Sequence, residues 1–213
     1  MKKIKIISVS ILGLLFTSCS VMSNYQSAKT IGKGSFEGTA SFTNNSYTDE
    51  SMREDNDDAY KYNSFGIQAA YGVSENFDAG IRYEMVRSEN FTVSHVALSG
   101  KYNFVENLLS VYVPIGMYFG ENLDLLETFH MRPTILGNID VSDNFELTPS
   151  LGYAWAFNSN YNSFIQVGIG SGIKLGSKDA LTLRPEIGLS FNGGDAGKER
   201  ILNAGVGVLY KLK

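Results

Sequence analysis

The chain has 213 residues, a net charge of −4, one cysteine and two histidines. Without a basic field it is a poor match for nucleic acid, and its single cysteine, Cys19, excludes an internal disulfide and a cysteine-based metal site. The 22 glycines against 4 prolines, with 12 tyrosines and 13 phenylalanines, favour many strands with closely packed faces. We therefore expect one all-β domain with no cofactor and no metal.

The N-terminus has the layout of an export signal. Three lysines among the first five residues precede the apolar run 6–16, which is too short to span a bilayer comfortably. The run ends in Phe16-Thr17-Ser18-Cys19, which resembles a bacterial lipobox. The resemblance implies a signal peptide over 1–18 and a lipid on Cys19. Ordinary signal cleavage close to the same point, without a lipid, is the alternative.

From residue 35 onward, apolar and small or polar residues alternate. Every second residue from Phe65 to Val73 is apolar, and after the turn 74–76 the alternation resumes from Phe77 to Met85. A period of 2 on both sides of a short polar turn predicts a β-hairpin. The same pattern predicts ten strands, over 35–43, 62–73, 77–85, 91–104, 109–119, 129–141, 145–157, 165–175, 181–191 and 202–212.

Tight turns recur at 73–77, 105–108, 141–145 and 176–180, starting 32, 36 and 35 residues apart. One hairpin per interval indicates an internal repeat. The connections at the other end vary in length, and the most acidic of them is predicted as a loop over 44–58. Short turns at one end and longer loops at the other are typical of outer-membrane barrels.

The distribution of side chains predicts which face meets lipid. The polar face is crowded with Gly, Ser, Thr, Asn and Gln, which suits a narrow interior better than open water. Aromatic residues of the apolar face lie near strand ends, as at Tyr71 and Tyr102 on one side and Tyr83 and Phe119 on the other. Two aromatic girdles around an aliphatic band predict a transmembrane barrel. A soluble lipid-binding barrel would bury the apolar face instead.

Three stretches carry a family resemblance: GVSENFDAGIRYE at 72–84, VSDNFELTPSLGYAW at 141–155 and AGVGVLYKLK at 204–213. They resemble the small OmpA/OmpX-like outer-membrane β-barrels of Bacteroidota-type bacteria. The resemblance implies an outer-membrane location, contact with membrane lipid and folding by the barrel-assembly machinery, and it implies no defined chemistry. The chain departs from the pattern where Tyr210 is followed by three further residues, since such barrels often end on an aromatic residue.

The predicted organisation is a signal peptide over 1–18, a periplasmic tether over 19–34 and an outer-membrane barrel over 35–213. The tether lacks a periodic apolar pattern. With a periplasmic N-terminus, a lipid on Cys19 would sit in the inner leaflet, and the tether could reach the base of the barrel. The four prolines, at 114, 133, 149 and 185, are expected to require β-bulges.

The inward face carries equal numbers of acids and bases, and unpaired charges in a narrow lumen would be costly. We therefore predict a lumen charge network that closes the barrel, with a narrow polar conduit as the alternative. Its members are Glu37, Asp78, Arg82, Glu84, Lys101, Arg132, Asp140, Glu146, Lys174, Arg184, Glu186 and Lys211.

A sharper hypothesis concerns His95, His130, Glu84 and Arg132, which the predicted register places inward near the long-loop end. A histidine held by Glu84 could act as a general base, although no nucleophile is marked. Both histidines could equally be hydrogen-bonding lumen residues. The acidic loop 44–58 is a candidate surface-ligand or cation site, but it lacks the ordered spacing of a calcium loop and fits a solvated charge run.

The sequence thus predicts a non-enzymatic outer-membrane barrel with a structural role or a surface-interaction role through its loops. The alternatives are a narrow, porin-like pore for small solutes, a hydrolase with a loop-end His/Glu site, and a soluble lipid-binding barrel.

Overall fold

In the structure, a computed structural model, residues 23–49, 60–89, 91–120, 128–157, 163–176, 180–192 and 199–212 are described. Their strands are β1 Phe36–Asp49, β2 Tyr60–Gly72, β3 Phe77–Arg87, β4 Thr92–Val105, β5 Leu109–Phe119, β6 His130–Met131, β7 Thr134–Gly137, β8 Ile139–Ser142, β9 Phe145–Ala156, β10 Phe164–Leu175, β11 Leu181–Asn192 and β12 Glu199–Leu212. The short segments β6, β7 and β8 follow one another along β9 as a single interrupted strand, so the described segments make ten barrel strands.

The sheet closes on itself through β1, which pairs antiparallel with both β2 and β12. Its register with β12 runs without a break from Phe36 opposite Leu212 to Asp49 opposite Glu199. Closure leaves no free sheet edge, which is the condition for strands to cross a bilayer. The prediction of a closed, ten-stranded antiparallel barrel is confirmed. Among the described residues, no helix is long and apolar enough to cross a membrane.

The outer surface of the barrel is apolar and its interior is polar, the reverse of a soluble protein. On the outside, Ile67 and Leu98 are 64% and 66% exposed in the middle of their strands. On the inside, Gln68 and Asn103 are buried. Since strand side chains alternate between faces, one strand supplies both surfaces, and the predicted lipid-facing orientation is confirmed.

Aromatic side chains lie on the outer surface at both ends of the barrel. Tyr71 and Tyr102 are exposed close to the short turns, an end that we call the turn end. Trp155 and Phe157 stack near the long connections, with ring centroids 5.4 Å apart, an end that we call the loop end. Aromatic belts at two levels match the two interfaces of a bilayer.

Two strands extend three or more residues further than their sequence pattern predicts. The predicted loop 44–58 is wrong over 44–49, because β1 continues to Asp49 and pairs there with β2 and β12. Polar Asn45 is tolerated in the strand because its side-chain amide donates to Tyr62 O and Ser64 Oγ. Residues 50–58 lie outside the described part. Strand β12 likewise begins at Glu199 rather than at residue 202.

The prolines are accommodated mainly without bulges. Within the described pairings, the register shifts fall between Asn103 and Val105 and between Asp140 and Ser142, and no proline lies at either place. Pro133 instead separates β6 from β7. Proline has no N–H to donate to a neighbouring strand. A strand break at Pro133 therefore loses no hydrogen bond that this residue could have donated.

Residues 23–31, which we call the inner segment, lie inside the barrel. Most are buried, and their hydrogen bonds reach strands on every side, through Thr43 on β1, Arg82 on β3, Ser110 on β5 and Asn203 on β12. The sequence predicts a periplasmic tether over 19–34; over 23–31 the chain lies in the lumen instead. The predicted signal peptide 1–18 and Cys19 lie outside the described residues.

A charge on the lipid face should be costly in proportion to its depth. We expect Leu98→Arg, in the middle of β4, to lower the free energy of unfolding by about 2–4 kcal/mol. Val105→Arg, at the turn end of the same strand, is the matched control and should cost about 0–1 kcal/mol. Denaturant unfolding in lipid vesicles measures both. Equal losses at the two positions would contradict the lipid-facing assignment of β4.

Candidate functional site

The lumen is the candidate site, and it has three layers. Nearest the turn end is a layer of charged side chains beside a cavity that opens to solvent, then a buried polar layer around the inner segment. Above it, toward the loop end, the inward face is apolar. The inner segment passes through the lower two layers, with Ile31 near the turn end and Ser23 nearest the loop end.

At the turn end, ion pairs connect the inner segment to the wall. Lys29 Nζ lies 2.5 Å from Asp140 Oδ1 and 3.1 Å from Glu146 Oε2. Partial burial alone would lower the pKa of Lys29, but its hydrogen bonds to the two carboxylates outweigh burial and the pKa is raised. Lys101 Nζ pairs with Asp78 Oδ2 at 3.1 Å. A cavity of about 520 Å³ opens beside these residues.

The middle layer holds the most buried charges. Glu84 is 0% exposed, and its Oε1 accepts a hydrogen bond of 2.6 Å from Arg82 Nη2. Arg184 pairs with Glu146, and Arg132 Nη2 donates to Asn24 Oδ1 at 2.9 Å. Such pairs are the arrangement that a narrow low-dielectric interior requires. The inner segment thereby supplies a partner to a buried guanidinium.

The structure places the twelve predicted network residues unequally. Seven of them are buried: Asp78, Arg82, Glu84, Lys101, Arg132, Glu146 and Arg184. Glu186 is half-buried and accepts hydrogen bonds from the inner segment. Glu37, Lys174 and Lys211 line the turn-end cavity, and Asp140 is exposed there. Three ion pairs join wall residues to each other, and Lys29 and Asn24 of the inner segment add further partners for Asp140, Glu146 and Arg132. The strand pattern does not predict this part of the inner segment in the network.

The predicted His/Glu group comes together where the middle layer meets the apolar cluster on its loop-end side. His95 Nε2 lies 3.2 Å from His130 Nε2, and His95 Nδ1 lies 3.6 Å from Glu84 Oε2. The ring of Tyr118 packs on both imidazoles, at centroid distances of 4.7 and 5.1 Å. Gly116 makes room for this group, because an added Cβ would stand 2.7 Å from His95 Nε2.

The hydrogen bonds of the two histidines determine their tautomers. His130 Nδ1 lies 3.0 Å from the carbonyl of Thr128, which can only accept, so Nδ1 carries the hydrogen. In neutral His130 the other nitrogen then accepts from His95 Nε2–H. Neutral His95 is left with a lone pair on Nδ1 that faces Glu84 beyond hydrogen-bond distance. The one unpaired imidazole nitrogen, His95 Nδ1, is buried and faces the Glu84 carboxylate rather than the open cavity.

An apolar cluster forms the top layer. Its inward members include Tyr47, Tyr62, Val86, Val93, Phe164 and Ile201. Each lies two positions from an inward-facing polar residue of the same strand, since Val86 follows Glu84 by two and Ile201 precedes Asn203 by two. Continuing the period-2 alternation toward the loop end of each strand would have predicted that they face inward. The inner segment has no such signal, because its aperiodic polar sequence has the pattern of a tether.

The described ranges hold no group of three or more His, Cys, Asp or Glu side chains that could bind a metal ion. The interactions described in the lumen are hydrogen bonds and ion pairs, and many of them contact the inner segment.

No family model and no curated protein matches the chain. Among solved structures, the translocator domain of the autotransporter NalP from Neisseria meningitidis is 12% identical, with a TM-score of 0.51 over 98% of this chain and 97% of that one. The transport unit of the autotransporter AIDA-I from Escherichia coli is 12% identical, with a TM-score of 0.47 over 95% and 97%. Neisserial surface protein A is 12% identical, with a TM-score of 0.37 over 84% and 100%.

At these identities the likeness concerns the fold alone. The fold is that of the outer-membrane β-barrels, and the closed sheet with its apolar outer surface has the physical properties that such a location requires. The chain therefore has the fold of an outer-membrane β-barrel.

Removing one partner of the buried Arg82–Glu84 pair should be destabilising. In Glu84→Gln the guanidinium keeps its burial but loses its neutralising carboxylate, and we expect a loss of about 3–5 kcal/mol in the free energy of unfolding. Denaturant unfolding in detergent micelles measures it. Glu106→Gln, at an exposed turn, is the control and should be neutral. A neutral Glu84→Gln would contradict the pairing.

Proposed function

We propose that the protein is a closed, non-enzymatic outer-membrane barrel with a structural role or a surface-interaction role through its loop end. The observation that carries the proposal is the occupation of the lumen by the chain's own residues 23–31. Their contacts with Asp78, Lys101, Arg184 and Glu186 fill the polar layer that a solute would have to cross. A barrel of this strand number is narrow even when empty.

Several finer features belong to the same proposal. We propose kinship with the small barrels of Bacteroidota-type bacteria on the basis of the stretches 72–84 and 141–155. Folding by the barrel-assembly machinery and a lipid on Cys19 are proposed in the same way. The acidic connection around 50–58 is the proposed surface-ligand site, because it is the most charged of the loop-end connections.

A narrow pore is the second candidate function, favoured by the cavity of about 520 Å³ that leads from the turn end to the inner segment. Planar-bilayer recording decides between the two. We expect the full wild-type chain to be silent because the inner segment blocks the polar layer. A full-length chain with Gly and Ser at every position of 23–31 should show small conductance steps. Frequent open steps from the wild type would overturn the closed barrel.

The hydrolase alternative has its own test. Some outer-membrane proteases and lipid-A-modifying barrels place catalytic His and carboxylate residues at about this height, so these are the two activities to test. We expect His95→Gln and His130→Gln to leave lipid A structure and surface proteolysis unchanged in cells that carry the protein, since the unpaired His95 Nδ1 faces buried Glu84 and both His130 nitrogens are hydrogen-bonded. Mass spectrometry of lipid A and cleavage of a surface reporter measure this. A loss of either activity in one variant, at equal amounts of folded barrel, would establish an enzyme.

A further inference from the structure

Tyr25 is the most enclosed large side chain of the inner segment and is bound from several directions. It is 2% exposed, and its hydroxyl lies 2.6 Å from Thr43 Oγ1 and 3.0 Å from Phe42 O. The Arg82 guanidinium lies 5.9 Å from the centre of its ring, within the range of a cation–π interaction. The barrel wall therefore contacts both the polar tip and the aromatic face of this residue.

The wall has a recess that fits the ring. An added Cβ on Gly205 would stand 2.0 Å from Tyr25 Oη and 2.4 Å from Phe42 O. On Gly207, the three nearest atoms to an added Cβ all belong to Tyr25, at 3.0 to 3.1 Å. At Gly38 on neighbouring β1, an added Cβ would meet nothing within 4 Å. The two glycines of β12 thus leave the space that the tyrosine ring fills.

The backbone on both sides of Tyr25 is also recognised. The Glu186 carboxylate accepts the N–H of Asn24 at 2.9 Å and the N–H of Tyr25 at 2.8 Å, while Arg82 Nη1 donates to Ser23 O at 2.7 Å. Tyr25 has a φ of 51°, in the left-handed region that a bulky residue adopts only when its surroundings hold it there. The site selects one particular bend of the chain.

Main-chain recognition continues toward the turn end. Arg184 Nη1 donates to Gln26 O at 3.1 Å, Asn103 Nδ2 to Ala28 O at 2.9 Å and Lys101 Nζ to Lys29 O at 2.8 Å. The inner segment is not a strand of the sheet, and the barrel pairing closes without it. It therefore has the contacts of a bound peptide ligand rather than of a structural strand.

We propose that this wall of the lumen is a binding site for a polypeptide segment of small polar residues around one tyrosine. Residues 23–31 occupy it in cis, and an exposed segment of the same chemistry from a partner protein can occupy it in trans once the cis tyrosine is displaced. Glu186 and Arg82 bind the backbone and Gly205 and Gly207 receive the ring. The proposal does not depend on whether the lumen conducts.

Fluorescence anisotropy with a labelled peptide of the sequence SNYQSAKTI tests the proposal on the full chain in detergent micelles. In the wild type the tethered segment competes at an effective concentration near the millimolar range. In Tyr25→Ala the anchor is gone from the cis copy, so we expect the free peptide to bind at least about 10-fold more tightly than it binds the wild type. A peptide with alanine in place of its tyrosine should not bind.

Variants of the wall locate the binding. In the Tyr25→Ala chain, adding Gly207→Ala should weaken peptide binding at least about 10-fold, because the new methyl group occupies the space of the ring. Gly38→Ala is the matched control and should leave binding unchanged. Heat-modifiable gel mobility confirms that each barrel is folded. The chain with Gly and Ser over 23–31 provides a second acceptor should Tyr25→Ala fold poorly.

Two results would overturn the proposal. One is failure of the peptide to bind either acceptor chain. The other is binding that is equal for wild type and Tyr25→Ala, or insensitive to Gly207→Ala, because both would place the peptide outside this site. Since anisotropy reports binding and bilayer recording reports conduction, a failure here is distinguishable from a failure of the closed-barrel proposal.

Discussion

The requirement that buried charges be neutralised inside a narrow barrel shapes the rest of the structure. Glu84 and Arg82 lie together in the middle of the lumen, where water cannot solvate them and each must be stabilised by the other. Not every buried charge has an opposite charge on the wall. Arg132 donates to Asn24, and Glu186 accepts from two main-chain N–H groups, so the inner segment supplies hydrogen-bond partners that the strands do not.

This arrangement explains why a polar segment without periodicity can be held in one place. Its main-chain N–H groups donate to carboxylates, and its carbonyl groups accept from cationic or amide side chains. Inward-facing side chains of either charge can therefore hydrogen-bond to it. The aliphatic side chains of the cluster above it, such as Val86 and Ile201, carry no polar atoms. Polar contacts of the inner segment are accordingly concentrated in the lower and middle layers.

Most of the fold was predicted from the period-2 alternation of the sequence. This alternation arises because the two faces of each strand have different surroundings. Phe65 and Ile67 face lipid and Gln68 faces the lumen, so one pattern predicts strand, face and location together. The same pattern predicted that Glu84, His95 and His130 lie close together. Their positions on β3, β4 and β6 all face inward at a similar distance from the loop end.

The inner segment could not be predicted in that way. Its fit depends on three-dimensional features that no local pattern encodes, such as the recess at Gly205 and Gly207 and the paired acceptors of Glu186. The extension of β1 to Asp49 was missed for a related reason. Asn44, Asn45 and Ser46 have low strand propensity, and only their partners on β2 and β12 stabilise the extended conformation.

The direction in which the inner segment runs sets a limit on membrane anchoring. Ser23 is hydrogen-bonded to Asn203, which lies opposite Asn45 in the sheet. Asn45 is four residues from the loop end of β1 and nine residues from its start at the turn end. Cys19 precedes Ser23 by four residues, a span of at most about 14 Å, whereas nine strand residues cover about 30 Å. Because the strands of such a barrel are tilted by about 40°, these nine residues rise about 23 Å, and four residues are too few for Cys19 to reach the turn end while the inner segment stays in the lumen. For a chain with a lipid on Cys19, an anchor in the inner leaflet and an occupied lumen would therefore exclude each other.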